Sequence, residues 1–388
     1  MKTSRRVFVA AWEYPPLISG ESIVCRKTLE HSRLDYDLCC GPAAGAGDRH
    51  IRLFPQAGNK YLLWPLQVLR QFLALDRREH YSVMMSRVMP VNGHLAGWLI
   101  KRLRPGLKWV VYFSDPVWNS PFLSPPWKGR GDHRPSWLLM KLFGIPAKWA
   151  VREGDLLVFN NERLARYVLG KEYGRFQNKV LIAPYGHDGL RLRPAPQRGD
   201  GQFWLTHVGQ LYGNRTLEAI TEALRLLQRR EPELFRRLRV WQVGFASASE
   251  RRRVEQSALS GTFGFVGQVS YKESIQEMYR ADCLLVIDPV FRGEGQNIYV
   301  PGKLYDYLSV GRPILCIADR DSATGDIARE TGCRIVPPQA EALCAVLKDL
   351  LEGSGFPPPD PQRCGQLHCR VGAGRLDEKI EKLMRREG

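Results

Sequence analysis

Residues 282–318 read DCLLVIDPVFRGEGQNIYVPGKLYDYLSVGRPILCIA. The run DCLLVIDPV predicts a buried strand and RPILCIA a second one. Between them, the glycine-bearing loop GEGQN leads into a short helix that Gly311-Arg312-Pro313 stops. Two strands joined through a helix must run parallel, because the crossover returns the chain to the same edge of the sheet.

The same alternation runs outward in both directions. RRVFVAAW, DYDLCCGP, KWVVYFSDP, DLLVFNN and KVLIAPYG predict strands before residue 190, with helices over IVCRKTLEHS, YLLWPLQVLRQFLAL and PSWLLMKLFGIPAKWAVRE. After the polar stretch HDGLRLRPAPQRGDGQ the pattern restarts with FWLTHVGQLYG, the periodic helix RTLEAITEALRLLQRR, and LRVWQVGF. The expectation is an α/β protein of two Rossmann-like parallel-sheet domains, 1–190 and 191–370, closed by a charged helix over 371–388 that either packs back or hangs free. Two such domains leave a cleft between them. Ligands of open parallel sheets lie beyond the carboxyl ends of the strands, so the loops of interest are 13–22, 114–122, 209–215 and 293–302.

Composition limits the partners. The 388 residues are 44% hydrophobic and 25% charged, as in a globular chain. No apolar run reaches the ~18–20 residues that cross a bilayer, and the N-terminal apolar run is too short for a signal peptide. The nine cysteines show no C-x-x-C spacing, which fits reduced thiols in the cytoplasm. The net charge of +17 is lopsided: residues 1–190 hold 28 Lys+Arg against 15 Asp+Glu, and the rest 29 against 25. The first half is built to meet an anion, whether nucleic acid, an acidic membrane surface or a phosphorylated lipid.

Two loops carry candidate chemistry. Gly209 and Gly213 bracket a turn before a helix, with Arg215 read into its first turn, where a cation calls for an anion in front of it. In the quoted stretch, Lys303 and Asp306 share a helix face. Lys303 suits a diphosphate and Asp306 a ribose diol; a simple surface pair between them, worth well under ~1 kcal/mol, is the alternative. Asp115 follows a strand and suits an acceptor hydroxyl or a turn before Pro116. Gly20 either lets backbone approach a phosphate or serves only its turn, and capping is the default for Glu21 and Ser22. No histidine has metal-ligand spacing; His187 and His207 read as structural.

These residues carry a resemblance. VPGKLYDYLSVGRPILCI resembles the P-S-K-L-Y-E-Y-L-A-x-G-[RK]-P-I segment of family 4 glycosyltransferases of the GT-B fold. THVGQLYGNRTLEAITEAL is similar to the opening of their C-terminal domain and KVLIAPYGHD to the end of their N-terminal domain. EYPPLISGES resembles their first glycine loop, and YFSDPVWNSPF a loop often written x-D-x-W-x-x-S. The resemblance implies transfer from a nucleotide-sugar donor to an acceptor held by the N-terminal domain, with retention and without a metal or other cofactor. It assigns the ribose to Asp306 and the diphosphate to Arg215 and Lys303, with Gly20, Gly209 and Leu304 nearby. Where the family has a further glutamate this chain has Ile298. Glu294 is the nearest acid, and the backbone of Gly295, Gln296 and Asn297 is placed to meet the donor sugar.

For the acceptor, the loop NSPFLSPPWKGRGDHRPSW mixes tryptophan with Lys128, Arg130 and Arg134, and Lys141 and Lys148 follow. Such a mixture suits anionic headgroups. The expected partners are a lipid-linked or polysaccharide acceptor and an anionic membrane surface touched peripherally from the cytoplasm, with no nucleic acid. The rival readings are a nucleotide-sugar epimerase or hydrolase, a nucleotide binder without transfer, and a nucleic-acid-binding protein.

Overall fold

The computed structural model describes residues 6–17, 19–42, 50–57, 63–88, 92–116, 137–189, 196, 198, 200–211, 214–290 and 298–385. The chain divides into two compact units, Met1–Gly186 with Cys369–Gly388, and His187–His368.

Among the described residues the first unit holds seven strands: β1 (Arg6–Ala10), β2 (Asp35–Cys40), β3 (Ile51–Pro55), β4 (Val83–Arg87), β5 (Lys108–Phe113), β6 (Leu156–Phe159) and β7 (Val180–Ile182). They pair in the order β3-β2-β1-β4-β5-β6-β7, every neighbour parallel. The strands are buried along nearly their whole length, as a sheet covered on both faces requires. β3 and β4 fall outside the strands read from sequence. Five residues each, they lack a turn signal strong enough to separate them from the helices on either side.

Two polar knots fix this sheet. Asp37, buried on β2, accepts from Arg6 Nε at 3.0 Å, from Arg52 Nε at 2.6 Å, and from the Tyr81 hydroxyl. On the other side of β1, Ser86 accepts from Trp109 Nε1 at 2.8 Å and lies 2.9 Å from His94 Nδ1. The last helix, Cys369–Arg385, belongs to this unit and does not hang free. Its Leu376 and Ile380 join Val7, Val9, Leu29 and Leu38 in the core. Its buried Asp377 accepts from Ser32 Oγ at 2.5 Å and from the Arg33 N–H at 2.8 Å.

The second unit holds β8 (Phe203–Val208), β9 (Leu238–Val243), β10 (Phe263–Gly267), β11 (Cys283–Ile287), β12 (Ile314–Ile317) and β13 (Arg334–Val336) among the described residues. Their order is β10-β9-β8-β11-β12-β13, again parallel throughout. In each sheet the strand order reverses beside the unit's first strand, at β1/β4 and at β8/β11. Ligands of such sheets collect at this reversal. Within the second unit His187 sits over His368, with Nε2 3.0 Å from the Cys364 carbonyl, so it is a packing histidine.

Replacing Asp37 by Ala leaves three donors facing a vacated site. Urea denaturation is expected to show a loss of about 2–4 kcal/mol, the lower part of the range for breaking a buried ion pair because solvent reaches Arg52. A loss under ~1 kcal/mol would show that the knot is not structural.

Candidate functional site

In the second unit the reversal is built around a clamp. The Tyr307 hydroxyl accepts the Val208 N–H at 2.6 Å and lies 3.3 Å from the Leu285 carbonyl. It thereby ties the helix Gly302–Leu308 to both β8 and β11. Leu304 is fully buried and its N–H bonds the Pro301 carbonyl at 2.9 Å. Expected among the donor contacts, it is a packing residue that anchors the helix. Ile298 is also buried.

Arg215 lies before its helix, which runs Glu218–Arg230, and not in the first turn as the sequence implied. The start of that helix is already served from within the chain: the buried Glu250 carboxylate accepts the Leu217 N–H at 2.7 Å. Arg215 instead donates Nε–H to the Ile287 carbonyl at 2.9 Å, which holds the guanidinium at the carboxyl end of β11. His207, on β8, meets Gln242 Oε1 through Nδ1 at 2.6 Å, and Gln242 donates to the Gly209 carbonyl at 2.9 Å. Burial pulls the His207 ring down to about 4 despite the Gln242 bond, and the charge of Arg215 adds to the drop. The imidazole is therefore neutral near neutral pH.

Gly209 does not offer its N–H to a ligand. That group bonds the Val243 carbonyl at 2.8 Å. The backbone passes so near Gly244, at φ 115°, that a Cβ there would lie 2.3 Å from the Gly209 oxygen. The glycine pair serves a close backbone crossing.

Lys303 and Asp306 do share a face, with Nζ 3.6 Å from Oδ2. Both are fixed by the helix Tyr271–Arg280. The Tyr271 hydroxyl donates to Asp306 Oδ1 at 2.9 Å, Lys303 donates to Ser274 Oγ at 3.1 Å, and its ammonium lies 4.6 Å from the Tyr271 ring centre. Asp306 is buried. Glu294, Gly295, Gln296, Asn297 and Gly213 lie outside the described residues, as do Lys128, Arg130, Arg134 and the side chain of Lys141.

In the first unit, Gly20 opens the helix Gly20–Glu30, and a Cβ on it would meet nothing within 4 Å. The cap is Ser19, whose Oγ accepts the Ser22 N–H at 3.0 Å and donates to Glu13 at 2.9 Å. Glu21 caps nothing. It is buried against Arg87 at the end of β4, with Oε1 2.8 Å from Nε. The guanidinium lies 3.8 Å from the Tyr112 ring centre, and its Nη1 and Nη2 are buried without a hydrogen-bond acceptor. Burial raises the Glu21 carboxyl, with Arg87 opposing.

Asp115 follows β5, anchored through the Ser114 carbonyl, which accepts from the Tyr185 hydroxyl at 2.8 Å and Asn160 Nδ2 at 3.3 Å. Burial, and secondarily the Glu21 charge, pushes the half-buried Asp115 carboxyl up to about 7. Glu21, Arg87, Tyr112 and Tyr185 were missed from sequence. Arg87 closes a strand that was not recognised, which removed the cue that places it at the sheet's carboxyl edge.

Among solved structures the chain is similar to Anabaena HepE in complex with UDP, at 12% identity over 98% of this chain and 99% of that one, with TM-score 0.61. It is similar to the lipopolysaccharide outer core galactosyltransferase WaaB at 10% identity, 97% and 99% coverage and TM-score 0.64. Sucrose-phosphate synthase from Thermosynechococcus elongatus gives 15% identity, 98% and 99% coverage and TM-score 0.64. The chain has the GT-B fold. No family model matches it, and no curated protein matches it in sequence. At these identities the GT-B likeness speaks for the backbone, while the side chains above are this chain's own.

The raised Asp115 carboxyl has a consequence for stability. The folded state keeps a proton that the unfolded chain releases between its ordinary value of 3.8 and about 7. Stability therefore falls as pH rises through that window. Asp115→Asn is expected to match wild type near the lower end and to exceed it by roughly 1–3 kcal/mol at pH 8, discounted for solvent reaching the group. Parallel thermal unfolding profiles at both pH values would show that Asp115 titrates normally.

Proposed function

We propose that the protein is a glycosyltransferase of the family 4 type, which moves a sugar from a nucleotide-sugar donor to a lipid-linked or polysaccharide acceptor with retention. The observation that carries this reading is Arg215, whose guanidinium is fixed on the Ile287 carbonyl at the β8/β11 reversal of a Rossmann-like sheet. A cation held there is preorganised for a diphosphate. The UDP bound in the similar HepE structure supports a nucleotide donor, and the galactosyltransferase WaaB supports transfer to a glycan.

In this reading Arg215 and Lys303 balance the charge that develops on the departing diphosphate. The sugar–phosphate C–O bond breaks with its electron pair left on the phosphate oxygen. The acceptor oxygen forms the new bond on the same face, and its proton passes to that phosphate oxygen. Asp306 accepts the ribose hydroxyls, exchanging its bond from Tyr271 for theirs. Asp115, in the first unit, orients the acceptor hydroxyl. The scheme calls for no metal ion, so EDTA is expected to leave turnover unchanged.

Thermal unfolding with UDP-, GDP-, ADP- and dTDP-sugars tests the reading. One nucleotide class is expected to raise the midpoint, and a ligand at 100 times its dissociation constant adds ~2.7 kcal/mol. Asp306→Ala and Arg215→Ala should each blunt that shift. A midpoint unmoved by all four classes would overturn the proposal, and an altered free sugar released without acceptor would replace transfer by epimerisation or hydrolysis.

A further inference from the structure

The helix Trp64–Glu79 of the first unit buries Trp64, Val68, Phe72 and Asp76 along one side. The opposite side is unusual for a solvated face. Leu66, Arg70, Leu73 and Arg77 follow at the spacing of a single stripe, with Leu63 one turn before it and Arg78 beside its end. Leu63, Leu66 and Leu73 are 55%, 56% and 37% exposed. From Leu66 to Arg77 the stripe runs about 16 Å, at ~1.5 Å per residue.

No acid balances these arginines. Asp76 is turned inward, where it accepts the Tyr81 N–H at 3.0 Å and pairs with Arg104. Glu79 is taken by Arg52 at 2.6 Å. Arg70, Arg77 and Arg78 are exposed, and no carboxylate pairs with them. Arg77 and Arg78 suit a helix C-terminus on dipole grounds alone. Arg70, mid-helix between two exposed leucines, has no such explanation.

The neighbouring helices extend the face. The Arg104–Asp76 pair brings the end of the helix Asn92–Leu103, with Leu103 55% exposed, alongside the end of the stripe. That helix packs in turn on the helix Trp137–Glu153 through stacked Trp98 and Trp149, 4.2 Å apart, and the latter exposes Ile145, Lys148 and Arg152. Of the eight large exposed hydrophobics among the described residues, five lie on these helices or at their entry, so the face is a concentration and not scatter. Its leading end, Leu63 and Leu66, follows β3 and so lies at the carboxyl edge of the sheet, the edge that also carries Glu21, Arg87 and Asp115.

We propose that this face docks on an anionic lipid bilayer, the leucines entering the headgroup–acyl boundary and Arg70, Arg77 and Arg78 holding lipid phosphates. Aliphatic side chains interleaved with unpaired arginines fit that surface. A nucleic acid would be met by stacking aromatics, and the stripe has none. That the docked bilayer supplies a lipid-linked acceptor rests on the proposed transfer activity; the docking itself does not.

The full chain is sedimented with vesicles of phosphatidylcholine alone or mixed with phosphatidylglycerol, beside two variants, Leu66→Gln/Leu73→Gln and Arg70→Gln/Arg77→Gln/Arg78→Gln. Wild type is expected to sediment with the anionic vesicles only, and less so in high salt. The arginine variant should lose about a hundredfold in partitioning, at ~1 kcal/mol per arginine, and the leucine variant at least about tenfold, both with unchanged unfolding midpoints because the sites are exposed. Wild type binding neither vesicle or both equally would overturn the proposal, as would a variant that binds like wild type, or capture by duplex DNA in place of vesicles. Nucleotide-sugar thermal shifts on the same variants, without lipid, separate this outcome from failure of the transfer reading.

Discussion

Parallel pairing constrains everything else in this chain. A parallel strand has its partners' hydrogen-bonding edges on both sides and helices over both faces, so its length is apolar and carries no chemistry. Polar groups that act on a ligand are then confined to the loops after the strands, all at one edge of each sheet. The order 3-2-1-4 within each unit opens that edge at one place, where the crossovers diverge.

The two units use their reversals differently. In the second, a cation and a neutral imidazole stand at the ends of β11 and β8, with Tyr307 bracing the helix behind them. Backbone donors that glycine loops often lend to phosphate are here consumed internally, by Val243 and by Glu250. Side-chain charge is therefore the main means this unit has of holding an anion. In the first, Glu21, Arg87 and Asp115 are crowded where water is scarce, so their charges are set by one another as much as by pH.

The basic excess of the first half also divides by position. Arg6, Arg52 and Arg104 are bound to Asp37 and Asp76 and act as structural cations. Arg70, Arg77 and Arg78 face outward unpaired. Composition counts the two groups alike, and only burial and partners separate them.

Alternating apolar runs and helical periods determined the α/β class, the parallel sheets and most element positions, because these depend on local patterning that each segment carries by itself. The shared face of Lys303 and Asp306 was legible for the same reason, since three residues on a helix fix it. What tertiary structure decided are contacts between residues far apart in the chain: Arg87 with Glu21, Tyr271 with Asp306, Arg215 with the Ile287 carbonyl, and Asp377 with Ser32. Such pairs leave no period or spacing in a single sequence. They exist only once the crossovers bring separate loops to one edge, and that is also why Leu304 and Gly209, plausible as ligand contacts from their motifs, turned out to be spent on packing and backbone.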